Sequence, residues 1–515
     1  MKKISFYILL SIILGTSAGC SDWLDVDPID KTKESTQYST EEGIQSALNG
    51  LYRTMASEAL YGGNLTQTAI EAMSNRYFYL ETHANTYDIP RRVKNFSLYN
   101  YTTSTEVENE FNSVWKNGYE FAFRINNFLR GMNKETSGIS KDKKSIFLGE
   151  AYGMRAYIHF DLFRIYGPIY STAAATDKTI PYNNLNLEGK YDEVMATLIN
   201  LSAENFIKTL LEDIEKAESY LDMVDPVVRD FDTAITNKLE DHFYRNRNRR
   251  MNFYAVRALK ARVLQYIGKS AEAAAIASEI LDLNKFKWVD SPSSGSNYTL
   301  FSEVIFGFNN LDFYLKAEKF YQSSDAQRAY LMASTVHKAI FDLDNDNRKD
   351  FWKSPGINIS SKVPVGVDNV YYMKRYDKSS SDTYPAGDDF QPLIRLPEML
   401  YIIIENEINE GNYETALNMF NTHLERRKVS ALYRLKQANN PDIKNDAVDY
   451  GKNELMSHMR KEYYREFAGE GQIFFFSKRL NNEDMLNCNT GKFDQLSKTQ
   501  KDVYVVPIPK QETNY

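Results

Sequence analysis

Residues 147–168 read FLGEAYGMRAYIHFDLFRIYGP, and this stretch decides the fold. Phe147, Ala151, Met154, Ile158, Leu162 and Ile165 recur at steps of three and four, the signature of a buried helical stripe, and Gly167-Pro168 ends the run. Upstream, Phe111, Val114, Trp115, Gly118, Ala122, Ile125, Leu129 and Met132 repeat the pattern. Downstream, Tyr254, Ala258, Ala261, Leu264 and Ile267 form a third stripe, and Leu396, Leu400, Ile403, Ile404 and Ile408 a fourth. Each of the last two is followed by a short turn and a second helical run. The turns, Gly268-Lys269-Ser270-Ala271-Glu272-Ala273 and Gly411-Asn412-Tyr413-Glu414-Thr415-Ala416, both place Ala five positions after Gly. That spacing resembles the joint of a tetratricopeptide repeat, where Gly closes one helix and a small residue lets the next pack against it. The expected fold is mostly α: tetratricopeptide-like hairpins forming an α-superhelical scaffold, with long irregular insertions.

The insertions, 74–104, 167–200, 286–325 and 343–390, are rich in Asn, Asp, Ser, Gly and Tyr and lack sustained helical periodicity; a short strand is expected near Ser302 to Phe308. Loops on a rigid scaffold usually carry binding chemistry, so they outrank the helices as functional candidates.

Composition excludes several classes. The 515 residues carry 62 basic and 69 acidic side chains, a net charge of −7, which offers no general basic surface for nucleic acid. Two cysteines, Cys20 and Cys488, cannot build a zinc cluster or a disulfide framework. The six histidines are scattered, with no His-x-x-x-His pair for a metal, so neither cofactor nor metal is expected. Gly268-Lys269-Ser270 lacks the first glycine of a phosphate loop, Val263 standing there. Asp342, Asp344 and Asp346 open like a calcium loop, but Asn347 and Lys353 occupy the positions that need Gly and Glu. A solvated or helix-capping turn, with Asp346 and Asp350 flanking Arg348, is the simpler reading. Among 69 acids no pair stands out for glycoside hydrolysis.

The N-terminus addresses the chain. Lys2-Lys3, the apolar run Ile4–Leu14 and the small residues Gly15 to Gly19 form a secretory signal too short to span a bilayer. The Gly-x-Ser-x-Gly pattern at Gly15 to Gly19 falls inside this signal and carries no hydrolase meaning. Cys20 directly after Ala18-Gly19 resembles a lipobox, although Ser17 stands where Leu is usual; an ordinary signal with an incidental cysteine is the other reading. Residues 1–19 are therefore expected to be removed and Cys20 lipidated, leaving one body over 20–515 with an N-terminal part at 20–220 and a C-terminal part at 250–515. Acidic residues Asp22 and Asp25 after the cysteine resemble a surface-export signal.

Aromatic residues make up 13% of the chain, with 36 tyrosines. Asn75, Arg76, Tyr77, Phe78, Tyr79, Tyr87, Asn95, Phe96, Tyr99, Asn100 and Tyr101 form one dense cluster; Tyr371, Tyr372, Tyr376 and Tyr384 form a looser one. Two readings stand level. The rings cover the helices as core, or some present flat faces to a sugar or peptide while Asn and Arg donate polar contacts.

Taken in order, the chain resembles the SusD/RagB family of outer-membrane nutrient-binding lipoproteins. Trp115, Tyr119, Ile125 and Asn126 are similar to its Trp-x-x-x-Tyr helix. Gly149-Glu150-Ala151, Arg155-Ala156, Phe160-Asp161-Leu162 and Tyr166-Gly167 are similar to its most specific block. Ala258 to Val263, Arg395 to Met399, Arg460-Lys461-Glu462, Glu466-Phe467, Glu470-Gly471 and Pro507-Ile508-Pro509 continue the match. Gln472 to Arg479 departs from the family pattern, so starch is not assumed as substrate. The resemblance implies a non-enzymatic cell-surface receptor, anchored in the outer membrane through its lipid. It would capture oligosaccharides and hand them to a SusC-like TonB-dependent transporter; oligopeptide capture and surface glycoside hydrolysis are the alternatives. It also implies that Glu150 and Arg155 are scaffold ion-pair members. The expected ligand platform is Asn75, Arg76, Tyr77, Tyr79, Tyr99, Asn100 and Tyr101.

Overall fold

The computed structural model describes residues 37–133, 138–174, 177–185, 187–230, 241–289, 299–310, 330–343, 345–354, 368–373, 390–429 and 450–512. In order these form helix α1 (Glu41–Met55), α2 (Asp88–Ser97), α3 (Thr105–Asn133) and α4 (Lys141–Tyr166), then strands β1 (Lys178–Pro181) and β2 (Asn200–Ser202). Next come α5 (Ala203–Leu221), α6 (Phe253–Tyr266), α7 (Ser270–Asp282), β3 (Val304–Asn309), β4 (Leu331–Ala333), α8 (Ser334–Ile340), β5 (Trp352–Lys353), β6 (Val370–Met373) and β7 (Phe390–Arg395). The C-terminal part holds α9 (Leu396–Asn409), α10 (Tyr413–Arg426), α11 (Lys452–Glu466), α12 (Gln472–Arg479), β8 (Asp484–Leu486), β9 (Phe493–Gln495) and α13 (Gln500–Tyr504). The structure is mostly helical, as the four stripes predict. No helix among the described residues is long and apolar enough to cross a membrane.

Helix α4 is the centre. Ser140 caps it, its side chain accepting from the Lys143 amide. One stripe was legible, yet α4 is buried on nearly every face, because α3, α5 and α6 pack around it. Gly149 permits part of that packing: a Cβ there would lie 2.5 Å from Leu221 of α5. Polar residues inside such a helix need partners. Arg155 forms a two-bond pair with Asp213 at 2.7 Å and also donates to the Asn126 side chain, so the scaffold role expected for Arg155 holds. His159 is fixed at both ring nitrogens: Nδ1 donates to the Arg155 carbonyl and Nε2 accepts from the Asn183 amide. The ring stacks on Tyr182 at 3.9 Å.

The two predicted hairpins are α6/α7 and α9/α10, and α7 packs on α9. Gly268 and Gly411 have φ of +83° and +82°. At the first joint Lys269 N donates to Leu264 O and Gly268 N to Gln265 O; at the second, Asn412 N donates to Glu407 O and Gly411 N to Ile408 O. Both are therefore Schellman terminations, in which a left-handed residue returns amides to the last turn. Ala273 and Ala416 are fully buried where the second helices begin to pack.

The insertions are more regular than their composition suggests. Within 74–104, α2 forms and rides on α3, with Val93 and Phe96 inward and Arg91 paired to Glu106 at 2.7 Å. The expected strand is β3, antiparallel to β7 with Val304 opposite Arg395. It starts two residues late because Phe301–Glu303 form a 3-10 turn. Antiparallel β6 lies between β4 and β5.

A second polar centre joins the C-terminal elements. Glu466 of α11 accepts from Arg427 and Arg395, each at 2.8 Å, and from Arg348 at 3.0 Å. Glu303 meets Arg395 and Arg427, and Glu462 meets Arg348 and Arg465. Arg348 sits on a capped turn, the Asp346 side chain accepting from its amide. The turn is not solvated as composition suggested: Asp346 and Arg348 are buried, since Glu462 and Glu466 complete their pairing. Asp342 pairs with Lys461 and Arg465, and Asp344 lies outside the described residues.

Candidate functional site

The aromatic cluster at Asn75 to Tyr101 resolves mostly into interior. Arg76 is fully buried between the rings of Trp352 and Tyr464, each 5.4 Å from its guanidinium carbon. It donates to the Tyr464 carbonyl at 2.6 Å and faces Glu71 at 3.2 Å. Tyr77 donates to Glu71 at 3.1 Å, its ring packed on Tyr330. Burial raises the Glu71 carboxyl despite the opposing charge of Arg76. Tyr99 donates to the Met73 carbonyl, and Tyr101 to the Val503 carbonyl. Arg76, Tyr77, Tyr99 and Tyr101 are thus corrected from platform to core: the three hydroxyls and Arg76 Nη1 are bonded inside, and they tie the N-terminal loop to α11 and α13. Asn75, Tyr79 and Asn100 are half-buried at the edge of this knot. The Asn100 amide donates to Asn95 and its oxygen accepts from Lys498. Burial pushes the Tyr79 phenol to about 12. In the second cluster Tyr371 stacks on His337 at 4.2 Å; Tyr376 and Tyr384 lie outside the described residues. Cys20 also lies outside them.

A different place has the dimensions of a site. A cleft of about 770 Å³ opens where α1 ends beside a short 3-10 turn at Arg247–Arg249 and the end of β3. From α1 and its C-cap Ala56 come Asn49, Tyr52, Arg53 and Ala56, spaced i, i+3, i+4 and i+7 and so on one helical face. Arg245, Asn246, Arg249 and Arg250 come from around the turn, and Phe308, Asn309 and Asn310 from β3 and the residue after it. The volume falls within the usual range for small-molecule sites.

The scaffold holds this lining from behind. Glu150, the acid of the Gly-Glu-Ala block, is fully buried. It accepts from Arg247 at 2.5 Å, from Arg250 at 3.2 Å and from the Tyr52 hydroxyl at 2.7 Å. The Tyr52 oxygen in turn accepts from the Met251 amide at 2.8 Å. Burial, then the Glu150 charge, holds the Tyr52 phenol well above its ordinary range, so it stays a donor. Arg250 lies 5.0 Å over the Tyr52 ring and donates to Asn49. Glu150 is therefore a scaffold ion-pair member as expected, and it also positions two cleft residues. Arg249 lies over Phe301 at 5.3 Å, and burial lowers its pKa. Asn310 is 7% exposed, and its Nδ2 has no hydrogen-bond partner.

Chemically the described lining offers planar donors and aromatic side chains with one carboxylate, Glu58. That combination suits a hydroxyl-rimmed ligand with weakly apolar faces. Among the described residues no group of three His, Cys, Asp or Glu side chains could hold a metal ion. Sequence reasoning passed over the cleft, although two signals mark it: the polar face of α1, and the run Arg245-Asn246-Arg247-Asn248-Arg249-Arg250.

The comparisons with known proteins agree with each other. A SusD-like family described as "Starch-binding associating with outer membrane" matches residues 22–263, and the SusD family (SusD_RagB) matches 234–515. SusD-like protein P38 of Formosa agariphila is 25% identical over 232 residues, 43% of this chain and 38% of that protein. SusD-like protein P25 of the same organism is 20% identical over 228 residues, 44% of this chain and 39% of that protein. The alignment thus spans about two fifths of the length of these curated relatives. A SusD superfamily protein from Bacteroides thetaiotaomicron superposes with a TM-score of 0.67 at 16% identity, over 92% of this chain and 98% of that one. A SusD-like carbohydrate binding protein from Bacteroides vulgatus gives 0.63 at 14%, over 92% and 96%. At these identities the structural likeness concerns the fold.

Proposed function

The chain belongs to the SusD/RagB family, and from that premise we propose that it is a receptor capturing oligosaccharides at the outer face of the outer membrane. It passes them, uncleaved, to a SusC-like TonB-dependent transporter. The observation that carries this reading is the 770 Å³ cleft, with its Asn and Arg side chains and its Tyr52 and Phe308 aromatics. Among the described residues Glu58 is the one lining carboxylate, which supports binding over hydrolysis, since both usual glycosidase mechanisms need two. The test offers both ligand classes, a glycan array and a peptide pool, and follows reducing ends over time. Glycan binding without new reducing ends is expected. Peptide binding alone reverses the ligand class, and released sugar revives an enzyme.

Residues 1–19 are removed in this account and Cys20 carries the acyl chains. Two or more such chains make a stable anchor, and tethering raises the effective concentration of receptor at its transporter. Metabolic labelling with palmitate should mark the wild type and not Cys20→Ala. Equal label in the variant contradicts the anchor.

A further inference from the structure

The cleft opens between segments far apart in sequence, α1 and residues 245–251, and its width depends on how the two are held. Asn49 and Tyr52 lie one turn apart on α1 and hold consecutive residues of the other segment. The Asn49 side chain accepts from Arg250 at 2.6 Å, and the Tyr52 hydroxyl accepts from the Met251 amide at 2.8 Å. One such bond leaves a hinge; two, set a helical turn apart, fix an angle as well as a distance. Glu150 of α4 joins the pair from below. Its Oε2 accepts from the Tyr52 hydroxyl at 2.7 Å and from Arg250 at 3.2 Å, and its Oε1 from Arg247 at 2.5 Å. Arg247 is held in turn by Asp225 at 3.0 Å. The Arg250 guanidinium also lies 5.0 Å over the Tyr52 ring and 4.6 Å over that of Phe243. The one hydroxyl donor of Tyr52 is therefore used inside the protein, and Arg250 is divided between Glu150 and Asn49. Arg53, one residue on from Tyr52, stands exposed with no ion pair or side-chain hydrogen bond among the described residues.

Resting on the glycan-capture reading, we propose that Tyr52 is a positioning residue of this receptor: its hydroxyl clasps α1 to Met251 and Glu150, so that the cleft is already formed when the ligand arrives. Recognition then falls to exposed lining residues, Arg53 first. A pre-formed site spares the complex the cost of ordering it, and that saving is the same for every ligand. Loosening the clasp therefore weakens all ligands by a like factor, whereas removing a contact changes their ranking.

The test uses the full mature chain on the glycan array and compares three variants with the wild type. Tyr52→Phe keeps the ring and removes the clasp, and every glycan the wild type binds should be held about tenfold weaker, in unchanged rank order. Arg53→Ala, on an exposed side chain, should alter the rank order at an unchanged melting temperature. Tyr119→Phe is the control for stability. Its hydroxyl is buried outside the cleft lining and donates to the Pro181 carbonyl at 2.7 Å. That variant should lower the melting temperature much as Tyr52→Phe does, yet leave affinity within about twofold of the wild type. Wild-type affinity in Tyr52→Phe overturns the positioning role and leaves glycan capture standing. Equal weakening in Tyr119→Phe also overturns it, because the loss would then follow stability alone. A reordered ranking in Tyr52→Phe makes that residue a ligand contact instead, and an unchanged ranking in Arg53→Ala overturns the assignment of recognition to Arg53. Peptide binding with no glycan bound by the wild type overturns both this inference and the reading beneath it.

Discussion

Glu466→Gln is expected to lose about 3 to 5 kcal/mol of unfolding free energy, a large part of what a folded protein usually possesses. The carboxylate lies where Arg348, Arg395 and Arg427 converge, all buried, with His423 at 3.5 Å. Burial opposes ionisation of Glu466, but Arg427 and Arg395 outweigh it and hold the carboxyl well below its ordinary range. The amide keeps the shape and removes the charge, so guanidinium groups already out of water lose a shared counter-ion. Removing one member of such a cluster costs far more than the intact cluster contributes, because the remaining charges stay buried. Glu410→Gln, on an exposed carboxylate at the end of α9, is the control and should change stability by about 0.5 kcal/mol or less. Denaturant unfolding of the two variants decides it; a Glu466→Gln loss under about 1 kcal/mol would show that the cluster is not holding α11 to β7 and α10.

Acid should loosen the core around α4 through His159. Burial lowers its pKa from 6.5 to about 4, and its two hydrogen bonds demand the neutral ring: a protonated Nε2 would point its hydrogen at the Asn183 N–H. Unfolding frees the ring to take up a proton at its ordinary pKa. Between those values the unfolded chain binds more protons, so this contribution is complete above about pH 6.5 and disappears as pH falls toward 4. At the limit it amounts to about 3 kcal/mol, or about 1.4 kcal/mol per pH unit. Burial also lowers His337 and His458 to about 4, and lowers His423, so the full chain should be steeper than one proton accounts for. His159→Gln should flatten the dependence of stability on pH by close to one proton. An unchanged slope would mean that His159 is charged in the folded state.

The fold was legible where its causes are local. Gly268 and Gly411 announce Schellman terminations, and Ala273 and Ala416 the close packing that follows; both are properties of six consecutive residues. The stripes locate α3, α4, α6 and α9 for the same reason. What escaped is set by distant parts of the chain. Tyr77, Tyr99 and Tyr101, interleaved with Asn75 and Asn100, read locally like a binding loop. Their environment comes from Tyr330, Trp352, Tyr464 and Val503, several hundred residues away. Helix α2 was missed because Arg91, Arg92 and Lys94 mask its short apolar face, and the pairing of the two arginines with Glu106 and Glu110 appears only when α3 lies beside it. The cleft was written in the sequence twice, as a polar helical face on α1 and as an arginine run before α6. Neither signal has meaning until β3 brings Phe308 to Asn310 alongside.

Glu150 links the legible and the hidden parts. The block that announces the family places a carboxylate inside α4, and that carboxylate aligns Tyr52 and Arg250 at the cleft. Arg53 and Asn309 stand exposed on the same wall.

The central claim is that the ligand occupies this cleft, and Asn309→Trp tests it most directly. Asn309 is an exposed cleft residue on β3, where a bulky aromatic is well tolerated and would fill the opening without entering the core. Isothermal titration with the glycan that binds the wild type most tightly on the array should show affinity at least about tenfold weaker in Asn309→Trp, at an unchanged melting temperature. Wild-type affinity in the blocked variant would contradict the account and move the site away from the cleft.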